Sequence, residues 1–178
     1  MAVPLGIALA PARERRAAQP RGLAMLQTIP SLALLAFMIP LLGLGVSAAV
    51  AALFLYALLP ILRNTCVGIA GVDPDLIEAA RGMGMREGQI LRLVRLPLAM
   101  HTILAGVRTA TVISVGVATL AAFIGAGGLG EPMVTGLYLD NTALILCGAV
   151  PAAILAVLAD AALGLVERAL APRTSSAP

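Results

Sequence analysis

The sequence from Gly22 to Leu62, GLAMLQTIPSLALLAFMIPLLGLGVSAAVAALFLYALLPIL, contains no charged residue. As one helix its 41 residues would be about 60 Å long, roughly twice the ~30 Å thickness of a membrane hydrocarbon core. The segment must therefore fold back on itself. Pro40 and Gly45 mark the natural break, because Pro removes a helical hydrogen-bond donor and Gly tolerates a tight turn. The stretch predicts two membrane-spanning helices, over residues 24–41 and 45–62.

The composition of the whole chain agrees with a membrane protein. Of its 178 residues, 60% are hydrophobic and 12% are charged, and the mean hydropathy is +1.00. A soluble domain carries about 25% charged and about 45–50% apolar residues. A water-soluble fold of this length could not bury so much apolar surface, which argues against a soluble enzyme and against a disordered chain.

Two more apolar segments follow towards the carboxyl terminus. They predict a third span over residues 99–123 and a fourth over residues 142–165, each long enough to cross a bilayer. The fold class predicted is all-α, a multi-pass transmembrane helical bundle. We expect one domain over residues 1–172 and a disordered tail over residues 173–178, which is rich in Ser, Thr and Pro.

The basic residues predict how the bundle is oriented. All 12 are Arg, and all but Arg108 lie before the first span, in the loop 63–97 or after the fourth span. The connection between the third and fourth spans has none. The positive-inside rule therefore places the amino terminus, the loop 63–97 and the carboxyl terminus in the cytoplasm. The same clusters account for the net charge of +3, so no nucleic-acid partner is expected.

The first residues are apolar but do not form a complete span. Ala8-Leu-Ala10 is similar to a signal-peptidase site, yet no charged residue precedes it, and the stretch is too short to cross a bilayer. We interpret residues 3–8 as the end of a further span whose beginning is missing. The prediction is four complete spans preceded by a truncated one.

The loop 63–97 has the pattern of two short helices. Asp73-Pro74-Asp75 is typical of a helix start, with a capping Asp, Pro at the first helical position and an acidic residue in the first turn. Gly82 and Gly84 are expected to end this helix. A second helix is predicted from residue 87 to Leu96, ended by Pro97. The pair would protrude from the basic side of the bundle.

The motif that indicates a function lies in this loop. Glu78-Ala79-Ala80, then Gly84 after three residues, then Val94-Arg95-Leu96-Pro97 after nine more, resembles the cytoplasmic-loop signature of permease subunits of ATP-binding-cassette (ABC) importers. The family has Ile where this chain has Val94. The resemblance implies a type I ABC importer permease, in which this helix docks into a groove on a separate ATPase subunit and transmits its closure to the spans.

The residues of the loop suggest how such docking works. Ala79 and Ala80 are small enough for close approach, and Gly84 allows a sharp turn. Glu78 could hold a backbone or Arg partner, or could only cap and solvate its own helix. The apolar side chains expected to face the ATPase are Leu76, Ile77, Met83 and Met85.

Three other stretches, residues 27–40, 58–65 and 122–130, are similar to the osmoprotectant branch of that family, which imports glycine betaine, choline or carnitine. The resemblance covers residues 3–170. Members usually begin with another complete span, in line with the truncated start inferred above. A permease for another solute, such as methionine, another amino acid or phosphonate, stays open. An ion-coupled secondary transporter is a less favoured alternative.

The family also implies the partners of the chain. These are an ATPase subunit, an extracytoplasmic substrate-binding protein and membrane lipid. A second permease, identical or related, is expected because one set of spans makes half a pathway. The chain would reside in the bacterial cytoplasmic (inner) membrane, would not itself be an enzyme and would need no cofactor. It contains no Lys, so it lacks the phosphate-binding loop that holds ATP in such ATPases.

Other potential motifs are weak. Gly125-x-Gly-x-x-Gly130 matches a dinucleotide-binding fingerprint, but it follows a predicted span and no strand. Cys66 and Cys147 form no paired motif, and His101 alone indicates neither a metal site nor a catalytic set. Small residues at four-residue spacing in the third span, among them Gly106, favour helix packing over a lining of the solute pathway. The substrate-binding residues cannot be named.

Two ionisable residues lie deepest in the apolar segments. Arg108 is in the third predicted span and Asp160 in the fourth. Charged side chains inside a membrane are costly, so each is expected to have a partner or a function. We predict that the two form an ion pair. The alternative is that each extends independently towards the membrane interface.

Overall fold

The computed structural model of the protein describes residues 30–170, and every described segment of regular structure is helical. The prediction of an all-α fold is confirmed. The amino-terminal stub, residues 24–29 of the first predicted span and the tail 173–178 lie outside the described residues. The helices are α1 (Ser31–Leu42), α2 (Val46–Ala70), α3 (Pro74–Gly82), α4 (Glu87–Ile90), α5 (Leu96–Leu120), α6 (Gly130–Tyr138) and α7 (Thr142–Leu170).

Three described helical stretches are long and apolar enough to cross a membrane. They are Val46–Ala70, Glu87–Ile124 and Thr142–Ala169. These stretches contain the spans predicted over residues 45–62, 99–123 and 142–165 almost entirely. The described part of the first predicted span, α1, is a shorter apolar helix of 12 residues.

The turn between the first two helices lies slightly later than predicted. α1 continues past Pro40 and ends at Leu42, because a Pro in the last turn removes only one hydrogen bond. Gly43 and Gly45 make the turn with φ angles of +79° and +105°, values that residues other than Gly rarely adopt. The turn at Gly43 and Gly45 lies within the break predicted over residues 40–45.

Two helices in the region 63–97 are longer than the sequence predicted. α2 runs on to Ala70 rather than ending at residue 62. The predicted helix end at Leu96 is wrong as well, since α4, a π-helical turn at Leu91–Arg95 and α5 follow one another without a break. The amide of Leu96 donates to the carbonyl of Leu91, five residues back, so the hydrogen-bonding pattern shifts immediately before Pro97. The proline is therefore accommodated inside the helix.

The helices pack around α5. Its most extensive contact is with α2, and α7 lies against another side of α5, with α6 folded back on α7. At one end of the α2–α5 pair, Leu35, Ala52, Val117 and Ile124 belong to one buried apolar cluster. Ile69, Ala99 and Ile103 form a second cluster towards the other end.

Small residues allow α2 and α5 to approach closely. A Cβ atom added to Gly106 on α5 would lie 2.6 Å from the Cβ of Asn64 and 3.1 Å from the carbonyl oxygen of Pro60, both on α2. A Cβ on Gly68 of α2 would lie 3.0 Å from the Cβ of Thr102 on α5. Gly106 therefore serves helix packing, which is one of the two roles considered for the small residues of this helix.

We predict that Gly106→Ala destabilises the protein by about 1–3 kcal/mol, because the added methyl group overlaps backbone-proximal atoms that cannot move away. Thermal unfolding of the purified protein in detergent measures the effect. Gly116→Ala on the same helix is the matched control, since an added Cβ there meets nothing within 4 Å. Equal melting temperatures for the two variants would contradict the predicted contact.

Candidate functional site

The segment made of α3, α4 and their connection, residues 73–90, follows α2 and precedes α5 in the chain, and we call it the knob. The side chain of Asp73 accepts a hydrogen bond of 2.9 Å from the amide of Asp75, and Pro74 occupies the first turn. The helix start predicted from Asp73-Pro74-Asp75 is thus confirmed. Gly82 ends α3, and Gly84 turns the chain with a φ of +82°, also as predicted.

The knob has an apolar core of its own. Val72, Ile77, Ala80 and Ile90 are buried together, and Met85 and Val94 pack against them. Because Ile77 and Ala80 belong to α3 while Ile90 belongs to α4, this cluster fixes the first helix on the second. The knob is therefore attached to the same continuous helix that becomes α5.

Two polar contacts hold the turn between α3 and α4. The guanidinium Nε of Arg81 donates to Oε1 of Glu87 at 2.8 Å, and the amide of Arg86 donates to the side-chain oxygen of Gln89. The Arg81–Glu87 pair is exposed, so it orients the two helices more than it stabilises them.

Burial divides the predicted docking residues into two groups. Leu76, Ala79 and Met83 are exposed and lie three and four residues apart, so they share one side of α3. We refer to these three residues as the exposed stripe. Leu76 is 48% and Met83 72% exposed. Glu78 and Gly84 are also exposed, beside the stripe.

The structure corrects the docking face proposed from the sequence. Ala80 is only 1% exposed and Ile77 is buried with it, so neither side chain reaches the knob surface. Met85 packs on the same core. The apolar side chains of Ile77, Ala80 and Met85 therefore form the core of the knob, which holds α3 against α4. Sequence spacing alone could not separate these residues from the exposed stripe.

Leu96 and Pro97 lie away from the exposed stripe. Leu96 packs against the cluster of Ile69, Ala99 and Ile103, while Pro97 is exposed on the continuous helix. The motif residues therefore do not form one site. Its first part makes the knob, and its second part joins the knob to the α2–α5 pair.

The two ionisable residues predicted to pair lie in direct contact. The Nε and Nη2 atoms of Arg108 on α5 each donate to one carboxylate oxygen of Asp160 on α7, at 2.5 Å. Two parallel bonds of this kind fix the guanidinium and carboxylate planes relative to each other. An open recess of about 380 Å³ lies beside them, lined also by Thr109 and Glu167.

Two further residues of this contact were not predicted. Glu167 has one carboxylate oxygen 3.5 Å from Nη1 of Arg108 and the other 3.2 Å from Nε2 of His101. A signal was available, because His101 precedes Arg108 by seven residues and Asp160 precedes Glu167 by seven. Residues two helical turns apart lie on one face, so antiparallel helices can bring both pairs together.

No group of three His, Cys, Asp or Glu side chains that could hold a metal ion occurs in residues 30–170.

The family described as "Binding-protein-dependent transport system inner membrane component" matches residues 2–176. The chain belongs to this family. Together with the relatives below, this confirms the resemblance inferred from the loop motif. Proteins of the family are permease subunits of ABC transporters, which act with an ATPase and a substrate-binding protein.

Several relatives are similar over almost the whole chain. The carnitine transport permease protein OpuCD of Listeria monocytogenes is 49% identical over 97% of this chain and 78% of its own length. The glycine betaine/carnitine/choline transport system permease protein OpuCB of Bacillus subtilis is 49% identical, over 97% of this chain and 80% of its own length. The choline permease OpuBB of Bacillus subtilis is 49% identical over 97% of this chain and 79% of its own length.

A solved structure supports the fold. An inward-facing form of the MetNI methionine ABC transporter contains a chain that superposes with a TM-score of 0.84 and is 28% identical. The match covers 96% of this chain and 86% of that one. The type I importer fold implied by the loop motif is therefore confirmed.

We predict that Arg108→Asp and Asp160→Arg each lower solute uptake about tenfold, because each places two like charges together between apolar helices. The exchanged double variant restores the pair and is expected to recover part of the uptake, since the carboxylate then at position 108 lies near Glu167. Uptake into cells lacking the endogenous transporter measures this. No recovery in the double variant would show that the pairing is not what transport requires.

Proposed function

We propose that this protein is the permease subunit of an ATP-driven importer that carries an osmoprotectant, such as glycine betaine, choline or carnitine, across the cytoplasmic membrane. The observation that carries the proposal is 49% identity, over nearly the whole chain, to permeases for carnitine and for choline. The aligned region covers 97% of this chain in both comparisons.

The ATPase subunit docks on the knob, and its closure during the ATP cycle displaces the knob. Its exposed stripe offers apolar side chains of adaptable shape, and Met83 in particular can fill an irregular groove. Glu78 beside the stripe supplies one negative charge for an Arg or a backbone amide of the partner. ATP hydrolysis belongs to the separate ATPase subunit, and this chain is not an enzyme.

The charges on the knob support its placement in the cytoplasm. Arg81, Arg86 and Arg92 are exposed on the knob or on the turn after it, and Arg168 is exposed near the end of α7. The connection from α5 to α7 carries no basic residue. The positive-inside rule then places the knob and the end of α7 in the cytoplasm. The binding protein would dock at the opposite end, where α6 lies.

The importer would contain two permease subunits, either two copies of this chain or this chain with a related one. Large apolar side chains are exposed on α2 and α7, among them Phe54, Val150 and Leu158. Lipid covers such side chains in a single subunit, and a second permease can cover some of them in the complex.

Methionine is the second candidate solute, because the matching solved structure is a methionine transporter. The osmoprotectants are favoured, since the chain is 28% identical to the MetNI chain and 49% identical to the carnitine and choline permeases.

We predict that Glu78→Arg lowers the amount of ATPase subunit that co-purifies with this chain by about tenfold, because it reverses the charge beside the exposed stripe. Glu131→Arg is the matched control, an identical charge reversal at an exposed position in the first turn of α6. An ATPase yield that is the same for both variants would contradict docking at the knob.

A second test addresses the solute. In vesicles containing this chain, its ATPase subunit and its binding protein, we expect ATP-dependent uptake of radiolabelled glycine betaine, choline or carnitine and no uptake of methionine. Omission of the ATPase subunit is expected to abolish uptake. Uptake that persists without any ATPase would show that the chain is an ion-coupled transporter.

A further inference from the structure

α7 is joined to the bundle in an unusual way. Between residues 142 and 169, the buried positions are Gly148, Ala152, Gly164 and Glu167. Three of these residues have little or no side chain, so they permit close approach but fill no groove. Glu167 is the one large side chain that α7 buries fully within this range, whereas Ile145 and Leu163 are partly buried.

The neighbours of Glu167 are charged or ionisable. Its carboxylate is 10% exposed and lies between His101 and Arg108, while Arg108 is also bound to Asp160. We call these four residues the charge ladder. It has two rungs, His101–Glu167 and Arg108–Asp160, and the Arg108–Glu167 contact connects them.

The charge ladder fixes the relative height of two antiparallel helices. A Cβ atom added to Gly164 would lie 3.2 Å from Nη1 of Arg108, so α7 fits around the guanidinium at this position. A shift of α7 along α5 by one turn, about 5.4 Å, would separate both rungs at once. Apolar contacts could adjust to such a shift more easily, because they have no preferred direction.

α5 is also the helix that carries the knob. The knob core of Ile77, Ala80 and Ile90 attaches α3 to α4, and α4 continues into α5 through the π-helical turn. A displacement of the knob therefore moves α5 directly. α7 lies further along the chain, beyond residues 121–141, and it contacts α5 directly through side chains.

We propose that Glu167, together with His101, is a positioning residue that keeps α7 in register with α5, so that movement of the knob reaches α7. The inference rests on the proposed function as an ATP-driven importer, although not on the identity of the solute. Glu167 takes part in no chemical step. It acts by holding Arg108 and His101 at a fixed height on α7.

The test measures coupling rather than activity alone. The complete complex, with its ATPase subunit and binding protein, is placed in vesicles, and solute uptake and ATP hydrolysis are measured on the same sample. We expect Glu167→Gln to lower the number of solute molecules imported per ATP by about threefold to tenfold, because hydrolysis continues while α7 no longer follows α5. Arg168→Gln is the matched control, since it removes a charge from the next, exposed residue of the same helix.

A second variant tests the same contact in case the Glu167→Gln chain does not assemble into the complex. His101 is 59% exposed, so His101→Gln is not expected to prevent folding, and it should lower the same ratio. Added to Glu167→Gln, it should have little further effect, because both substitutions break the same rung.

The outcomes separate the inference from the proposed function. An unchanged ratio of solute to ATP in both single variants, whether the two rates fall together or stay constant, would overturn the positioning role. If the wild-type complex imports none of glycine betaine, choline and carnitine, the proposed solute is wrong. The ratio is then measured with methionine, and the result still decides the role of Glu167.

Discussion

The close contact of α2 with α5 is the constraint on which the rest of the described structure depends. Gly106 and Gly68 bring the two backbones so near that an added methyl group would overlap Asn64 or Thr102. In a membrane, apolar side chains gain little from leaving lipid, so such backbone proximity supplies much of the packing attraction. The pair gives α5 a fixed position. α7 then packs on another side of α5, and α6 folds back on α7.

The helix is continuous from Glu87 to Leu120, so it connects the knob directly to the part of α5 that packs on α2. Had Pro97 ended a helix, the knob would be tethered by a flexible joint, and its displacement would be lost there. The π-helical turn instead changes the hydrogen-bonding pattern before the proline and keeps the helix continuous. The motif that ends in Leu96-Pro97 therefore marks a place where a helix passes through a proline, close to the cluster that anchors α5 on α2.

The sequence predicted the helical class and the approximate positions of the long helices, because absence of charge and segment length depend on local composition alone. It also predicted the start of α3, whose Asp-Pro-Asp pattern acts within one turn. The prediction from the sequence was wrong where the packing of a neighbouring helix determines which side chains are buried. Ala79 and Ala80 are chemically identical, and only the packing of α3 on α4 leaves one exposed and buries the other. The prediction of a helix end before Pro97 was wrong for a related reason. Local rules favour a helix end before a proline, but the neighbouring π-helical turn lets the helix continue.

The charge ladder shows why single residues are harder to interpret than spacings. Taken alone, His101 indicated no site, and Glu167 lies just beyond the span predicted over residues 142–165. Once two helices are known to run in opposite directions, the repeated separation of seven residues pairs His101 with Glu167 two turns away from the Arg108–Asp160 pair. Charged contacts of this kind are directional, and Gly164 on α7 leaves room for the guanidinium of Arg108 beside them. Within residues 142–169 the carboxylate of Glu167 is the one large side chain that α7 buries fully, so the place where it binds contributes to the register of the helix.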